Sequence, residues 1–183
     1  LEEPGYATAR RVFSLGGAEV IGVPIDQEGL IVSEGRKRAP DARLAFVTPA
    51  RQYPTGVTMP LSRRLELLDW ANEAGAIIVE DDYDSEYRYV GRPLPALMSL
   101  DRQARVIYSG TFSKVFSPIV RLGFIVIPKQ MIDGFREQRA NHGAGDLHHA
   151  VQYQHGTKAG IVLAIAVGAG RARLVLGSAK SQH

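Results

Sequence analysis

A lysine stands among hydroxyls in the stretch Ser109-Gly110-Thr111-Phe112-Ser113-Lys114, and Arg121 follows one short loop later. The apolar run Val106-Ile107-Tyr108 leads into it, and a second apolar run, Leu122 to Ile127, begins just beyond the arginine. An amine beside hydroxyl donors and a fixed guanidinium suits an aldehyde cofactor that carries a phosphate. An exposed loop lysine between two strands fits the same spacing, because lysines in polar loops are common. The second candidate is the acidic run Glu80-Asp81-Asp82, which follows Ala76 to Val79 and precedes Tyr83. A carboxylate at the lip of a buried strand, here Asp81, can pair with a protonated ring nitrogen and keep it charged. The Tyr83 hydroxyl, two residues on, can aim at a phenolic oxygen. The same acids would also serve as a solvated turn or a divalent-cation site. Such cation sites usually come with a phosphate-binding loop, and the chain has no GxxxxGK[ST] segment. The third candidate is the loop Gln52-Tyr53-Pro54-Thr55-Gly56, where Tyr53 is either a ligand contact or an aromatic cover over the core.

These groups need strands to aim them. Leu44 to Thr48, Ala76 to Val79, Val106 to Ser109 and Leu122 to Ile127 are short, continuous apolar runs, the mark of strands buried on both faces of a parallel sheet. Between the first two, Pro60 and Ser62 start a helix on which Leu61, Leu65, Leu68 and Ala71 share a face, and Gly75 stops it. Strand, helix, strand is a βαβ unit, so an α/β fold with a parallel sheet follows. In such sheets ligands sit at the carboxyl ends of the strands, and all three candidates fall there. Upstream, Ala7 to Leu15 predicts a short helix ended by Gly16-Gly17, and Glu19 to Pro24 a strand closed by its proline. Asp26 to Gly29 is turn chemistry, and Leu30 to Arg38 has weak helical character. Leu94 to Leu100 predicts a helical turn. Lys129 to Ala140 predicts an amphipathic helix with Met131, Ile132 and Phe135 inward. After Asn141 the pattern changes: Ile161 to Val167 suits a strand or a helix, and Arg171 to His183 reads as a basic tail.

Length bounds the answer to one domain with a sizeable core, since 183 residues fall within the usual range. The absence of cysteine excludes disulfides and leaves only histidine and carboxylates for zinc. The net charge of +3 is spread along the chain without the aromatic-interleaved basic stripe that nucleic-acid binding by this segment would need. No apolar run approaches a membrane span, and no signal-peptide pattern opens the chain, so a cytoplasmic protein is expected. The chain begins Leu1-Glu2-Glu3-Pro4, without an initiator methionine, and reads as the interior of a longer polypeptide. His148, His149 and His155 lack the i,i+4 register and partner carboxylate of a metal site, so no metal is expected. No Gly-x-Ser-x-Gly elbow supports a hydrolase.

Taken together, Val79-Glu80-Asp81-Asp82-Tyr83-Asp84-Ser85-Glu86-Tyr87-Arg88-Tyr89, Gly91 to Leu97, Ser109 to Lys114 and Arg121-Leu122-Gly123 resemble the aminotransferase-like domain of MocR-type regulators. These belong to the GntR superfamily and are related to fold-type-I, class I/II pyridoxal phosphate aminotransferases. Glu3-Pro4-Gly5-Tyr6 and Thr48-Pro49 through Pro54-Thr55-Gly56 match as well, so the resemblance covers roughly Leu1 to Ala140. It implies a partial, three-layer, mostly parallel large domain over residues 1–140, followed by a divergent tail over 141–183. It also implies a role for each matching residue. Lys114 would form the internal aldimine with pyridoxal 5'-phosphate. Asp81 would pair with the pyridinium nitrogen, and Tyr83 would bond the ring's phenolic oxygen. Thr111 and Arg121 would hold the phosphate, with Ser113 beside them; arginine suits this because its fork binds phosphate oxygens bidentately. Tyr53 stands where aminotransferases carry asparagine, as an aromatic commonly does in the regulator branch.

Three readings follow from the resemblance. The first is a fragment of a MocR/GntR-type transcriptional regulator that responds to a small amino compound. The second is a fragment of a true aminotransferase moving an amino group from an amino acid to a 2-oxo acid, with Lys114 also serving as the proton-shifting base. The third is a truncated remnant that binds nothing. The family implies a homodimer in the full-length protein, and DNA binding only through a winged-helix domain that has no match here. With half of the cofactor cleft unmatched, weak or no cofactor retention by the chain alone is expected.

Overall fold

Short apolar runs that end in proline, glycine or acids can bury both faces only inside a layered sheet, and that is how this chain uses them. The computed structural model describes residues 1–83, 94–111, 122–141, 147–155 and 158–166. In chain order the elements are β1 (Glu2–Glu3), α1 (Ala7–Leu15), β2 (Val23–Asp26), β3 (Gly29–Leu30), α2 (Val32–Arg38) and β4 (Leu44–Val47). Then come α3 (Leu61–Ala74), β5 (Ile77–Asp82), α4 (Leu97–Leu100), β6 (Val106–Thr111) and β7 (Leu122–Pro128). A 3-10 turn (Lys129–Met131) leads into α5 (Ile132–Asn141), and β8 (Leu147–His155) and β9 (Lys158–Ala166) follow. The main sheet has the order β4-β5-β6-β7-β9-β8, and β1-β2-β3 form a small separate sheet.

The expected parallel core is present: β4 pairs with β5, and β5 with β6, all in parallel. From β6 onward the pairings with β7, β9 and β8 are antiparallel. The stretch Ile161 to Val167, open between strand and helix from sequence, contributes its first six residues to β9. The basic run from Arg171 lies outside the described residues.

Helices cover both faces of the parallel strands. On one side α3 lays Leu67, Leu68, Trp70 and Ala71 against Ala45 and Val47 of β4, Ile78 of β5 and Val106 of β6. Each fully buried aliphatic side chain in this contact contributes about 1.5–3 kcal/mol. On the other side Phe13 of α1 meets Phe46 of β4 edge-on, with ring centroids 5.9 Å apart. The expected ends of α3 hold: Pro60 precedes it, and Gly75 closes it in the left-handed conformation at φ 62°. Its inward face differs from the one expected. Leu61 and Leu65 are 42% and 44% exposed, and Arg64, 1% exposed, takes the inward position one turn before Leu67 and Leu68. Arg64 is accommodated there because its guanidinium donates to the carbonyls of Met59 (2.9 Å), Pro95 (3.1 Å) and Pro49 (2.8 Å). A buried charge is tolerated only with such partners.

Three smaller differences are local. The strand expected over Glu19 to Pro24 starts at Val23 and runs through the proline to Asp26. Pro24 still gives its carbonyl to Ile31 N at 3.0 Å, so the missing N–H does not end the strand. The N-terminal part of Lys129 to Ala140 is a 3-10 turn, and only Ile132 onward is α-helical. Phe135 is exposed, while Ile132 packs on Ile127 with Ile107 and Ile125. Among the described residues no helix is long and apolar enough to cross a membrane.

Candidate functional site

Alternation along β5 sorts the acidic run. Ile78, Glu80 and Asp82 are buried on the side of α3 and α4, whereas Ile77, Val79 and Asp81 are half-buried on the opposite side. Glu80 is committed to the fold. Its carboxylate accepts the backbone N–H groups of Leu97 (2.9 Å) and Met98 (3.0 Å) at the start of α4, and it stands 3.8 Å from the Arg64 guanidinium. Burial pushes its carboxyl above the usual range, and those donors and the arginine pull it back. Asp82 accepts the Tyr108 hydroxyl at 2.7 Å. The three acids therefore do not converge on one cation, and no group of three acids or histidines among the described residues could hold one.

Asp81 is placed differently. Its register partner on β6 is Ser109, whose hydroxyl bonds its carboxylate. Thr111 lies two residues further along β6 on the same face, half-buried. Desolvation raises the Asp81 carboxyl above its ordinary value; the Ser109 bond opposes this, and the neighbouring Asp82 charge adds to it. Among the described residues no cation pairs with Asp81. A half-buried carboxyl at a strand tip, with a hydroxyl on one side only, is the kind of group that a cationic ring nitrogen would complete.

Tyr83 stands just past β5. Its ring lies edge-on to Tyr53 at 6.3 Å, and Tyr53 lies edge-on to Tyr6 at 5.7 Å. Tyr53 is 45% exposed, so it is not a cover over the core. Its loop is nonetheless firmly held: Gln52 N donates to Val57 O and Gly56 N to Gln52 O, both at 2.7 Å. Of the residues singled out from sequence, Asp81, Tyr83, Thr111 and Tyr53 are at the carboxyl end of the parallel strands. Lys114, Ser113 and Arg121 lie outside the described residues. The described residues on either side of that segment include Thr111 and Gly123, which pair across β6 and β7, and β6 lies beside β5.

Two residues that local sequence reading missed also belong to this end of the sheet. Ser109 is one, and only the β5–β6 register reveals it. The buried Glu2 is the other, bonded to Thr48 46 positions away. A cavity of about 550 Å³ lies elsewhere, by the amino half of β4, lined by Phe13, Val23, Leu30, Phe46, Leu67 and Trp70 among others. Glu19, Arg38, Asp41 and Arg43 also line it, and it includes neither Asp81 nor its β6 partner Ser109.

A sequence model of aminotransferase class I and II matches residues 1–143. The chain is 46% identical over 143 residues to the probable rhizopine catabolism regulatory protein MocR of Rhizobium meliloti, covering 78% of this chain and 29% of that protein. It is 44% identical over 128 residues to the pyridoxine biosynthesis transcriptional regulator PdxR of Corynebacterium glutamicum, covering 70% and 27% respectively. Among solved structures, the kynurenine aminotransferase of Pyrococcus horikoshii superposes with a TM-score of 0.71 at 34% identity, covering 77% of this chain and 37% of that one. The α-aminoadipate aminotransferase LysN of Thermus thermophilus gives 0.70 at 33%, covering 77% and 38%. The chain thus spans less than a third of the length of the regulators it matches.

Proposed function

The chain belongs to the aminotransferase class I and II family, and from that premise we propose that it is the pyridoxal phosphate-binding, aminotransferase-like part of a MocR-type transcriptional regulator. The observation that carries this reading is Asp81. It is one acid of a consecutive three, yet it alone faces away from α3 and α4, half-buried at the tip of β5 beside Ser109 and Thr111. A carboxylate so placed would hold a proton on a pyridine nitrogen. When bound, the cofactor supplies an electron sink for charge developing at the α-carbon of an amino compound.

The remaining roles fall to this chain's own groups. The Lys114 amine would bind the cofactor's aldehyde carbon. The Tyr83 hydroxyl would donate to the phenolic oxygen. Thr111, Ser113 and the Arg121 guanidinium would hold the phosphate, and Tyr53 would flank the ring. Two solved relatives were crystallised with such compounds: the kynurenine aminotransferase with PMP, and LysN with a phosphopyridoxyl-leucine. The regulator reading is favoured over the enzyme reading by identity, 46% and 44% to the regulators MocR and PdxR against 36% and 37% to two curated aminotransferases. In this reading the ligand is a small amino compound acting as effector and the assembly is a homodimer in the cytoplasm. DNA is contacted only by a winged-helix part outside this chain.

The test is to mix the purified chain with pyridoxal phosphate, reduce with borohydride and map the adduct by mass spectrometry. Reduction fixes even a transient link, so weak retention does not hide it. The expected adduct is on Lys114, lost in Lys114→Ala and weakened in Asp81→Asn. An adduct spread evenly over the surface lysines, or none at all, would leave the non-binding remnant as the correct reading. An amino-group transfer from an amino acid to a 2-oxo acid by the loaded protein would favour the enzyme.

A further inference from the structure

Glu2 is 3% exposed, and burying a carboxyl this deeply needs a compensating purpose. One of its oxygens, Oε2, accepts the Thr48 hydroxyl at 2.7 Å, the Thr48 backbone N–H at 3.3 Å and the Gln52 amide at 3.3 Å. The other, Oε1, is buried with no hydrogen-bond partner. The two groups that Glu2 holds are the same two that hold Tyr53. Thr48 Oγ1 accepts the Tyr53 backbone N–H at 3.1 Å, and Gln52 Nε2 donates to the Tyr53 carbonyl at 2.6 Å. The Gln52 side chain also donates to Pro4 O at 2.9 Å and accepts from Thr55 N at 3.1 Å and Thr55 Oγ1 at 2.7 Å. Both polar groups of the Tyr53 backbone are therefore gripped by side chains that share one buried carboxylate oxygen. The Tyr53 ring, in contrast, is 45% exposed and touches Tyr6 and Tyr83 only edge-on. An exposed ring on a proline-bearing loop would otherwise sample several orientations, and ordering it costs entropy at the moment a ligand binds.

We propose that Glu2 is a positioning residue of the ligand site: through Thr48 and Gln52 it fixes the Tyr53 backbone, and so presents the Tyr6–Tyr53–Tyr83 array to a flat ring seated beside Asp81. The ligand half of this statement rests on the cofactor reading above. The positioning half does not. Glu2 touches no ligand itself; its effect is to order Tyr53 before a ligand arrives.

Fluorotyrosine labelling of the purified chain gives a fluorine resonance for Tyr53, assigned by its loss in Tyr53→Phe. Glu2→Gln keeps an acceptor oxygen for Thr48 and Gln52, and should leave that resonance in place. Glu2→Ala removes the shared acceptor, and should shift or broaden it. Where Glu2→Ala does not fold, Thr48→Val serves, because it deletes only the hydroxyl that relays Glu2 to Tyr53 N. Both disruptive variants should also lower the affinity for pyridoxal phosphate, read from the borohydride-fixed fraction, by about three- to tenfold, the equivalent of a lost hydrogen bond. An unmoved Tyr53 resonance in Thr48→Val overturns the proposal, whether or not the chain takes up the cofactor. A moved resonance with unchanged affinity in a chain that does form the Lys114 adduct also overturns it, since Glu2 would then serve the fold alone. Absence of adduct in the unaltered chain refutes the cofactor reading, and with it the ligand half of this proposal. The resonance would still decide the positioning half.

Discussion

Replacing Glu80 by alanine tests whether the acidic run is one site or two separate devices. Glu80 is 1% exposed and faces Arg64, also 1% exposed, at 3.8 Å. Its carboxylate accepts Leu97 N at 2.9 Å and Met98 N at 3.0 Å, which ties the start of α4 to the middle of the sheet. Deleting it removes an acceptor from two backbone donors, each costing about 1–3 kcal/mol when left buried and unsatisfied. It also removes the carboxylate facing a buried guanidinium, a change that costs about 3–5 kcal/mol where one partner is lost. These losses overlap, and Arg64 keeps its three carbonyl acceptors. The cost of the broken ion pair is therefore the better guide to the whole: about 3–5 kcal/mol, a substantial part of the roughly 5–15 kcal/mol that holds an ordinary domain together.

At about 2–4 °C per kcal/mol for a chain of this size, that is a fall in Tm of about 6–20 °C. Urea titration followed by circular dichroism gives the free energy directly, and a thermal scan gives Tm. Glu80→Gln retains one carbonyl acceptor but sets an amide NH2 against a donor, so it should cost about half as much. Below its own Tm the alanine variant should still form the Lys114 adduct, because Glu80 points away from Asp81. A destabilisation below about 1 kcal/mol would refute the buried-clamp reasoning. Loss of the adduct in a fully stable Glu80→Ala would mean that the acids act together after all.

Other consequences are quickly stated. The Asp81 carboxyl is raised above its ordinary 3.8 by burial, so the folded state holds its proton longer than the unfolded one. Its contribution to stability is full below about pH 4 and is lost as pH rises through the folded value. The stability of the native chain minus that of Asp81→Asn should accordingly fall from acid towards neutral pH in paired urea titrations, and a rise would contradict the burial argument. Ser109→Ala removes the hydroxyl that favours the ionised form of Asp81, so a carbon-detected NMR titration should show the Asp81 carboxyl moving further up. At Gly110 an added Cβ would lie 2.5 Å from Cζ of Phe124, so Gly110→Ala should cost about 1–3 kcal/mol and Phe124→Leu should restore most of it. Leu67→Ala, at the centre of the α3 contact, should cost about 2–5 kcal/mol by chemical denaturation.

The parts of the fold that local chemistry determines are legible in the sequence. Helix α1 runs from Ala7 to Leu15 as expected, and the ends of α3 follow from a proline and a left-handed glycine. What is not legible depends on partners distant in the chain. The inward face of α3 departs from the hydrophobic pattern because Arg64 occupies a position that patterning assigns to an apolar residue, and its licence to be there comes from carbonyls of Pro49, Met59 and Pro95. The role of Glu2 is invisible for the same reason, since its partners are Thr48 and Gln52. Ser109 opens the stretch that leads to Lys114, but only the register of β5 against β6 turns it toward Asp81.

The candidate site shows how a run of three acids can set one carboxylate apart from the other two. Like charges on adjacent residues repel, and each would raise the others' pKa if all faced one hollow. A strand lessens this by its pleat: neighbours point to opposite faces, so Glu80 and Asp82 lie across the sheet from Asp81, which still feels the Asp82 charge. Each of the two outer acids then finds a donor in the fold, the α4 amides for one and the Tyr108 hydroxyl for the other. Asp81 keeps a neutral hydroxyl from Ser109, strong enough to orient it and too weak to cancel its charge. Among the described residues no cation meets that carboxylate, and in the proposed reading a protonated ring would supply one. On this argument, replacing Ser109 with a lysine would be more damaging to cofactor affinity than replacing it with alanine, because a competing ammonium would supply that cation from within the chain.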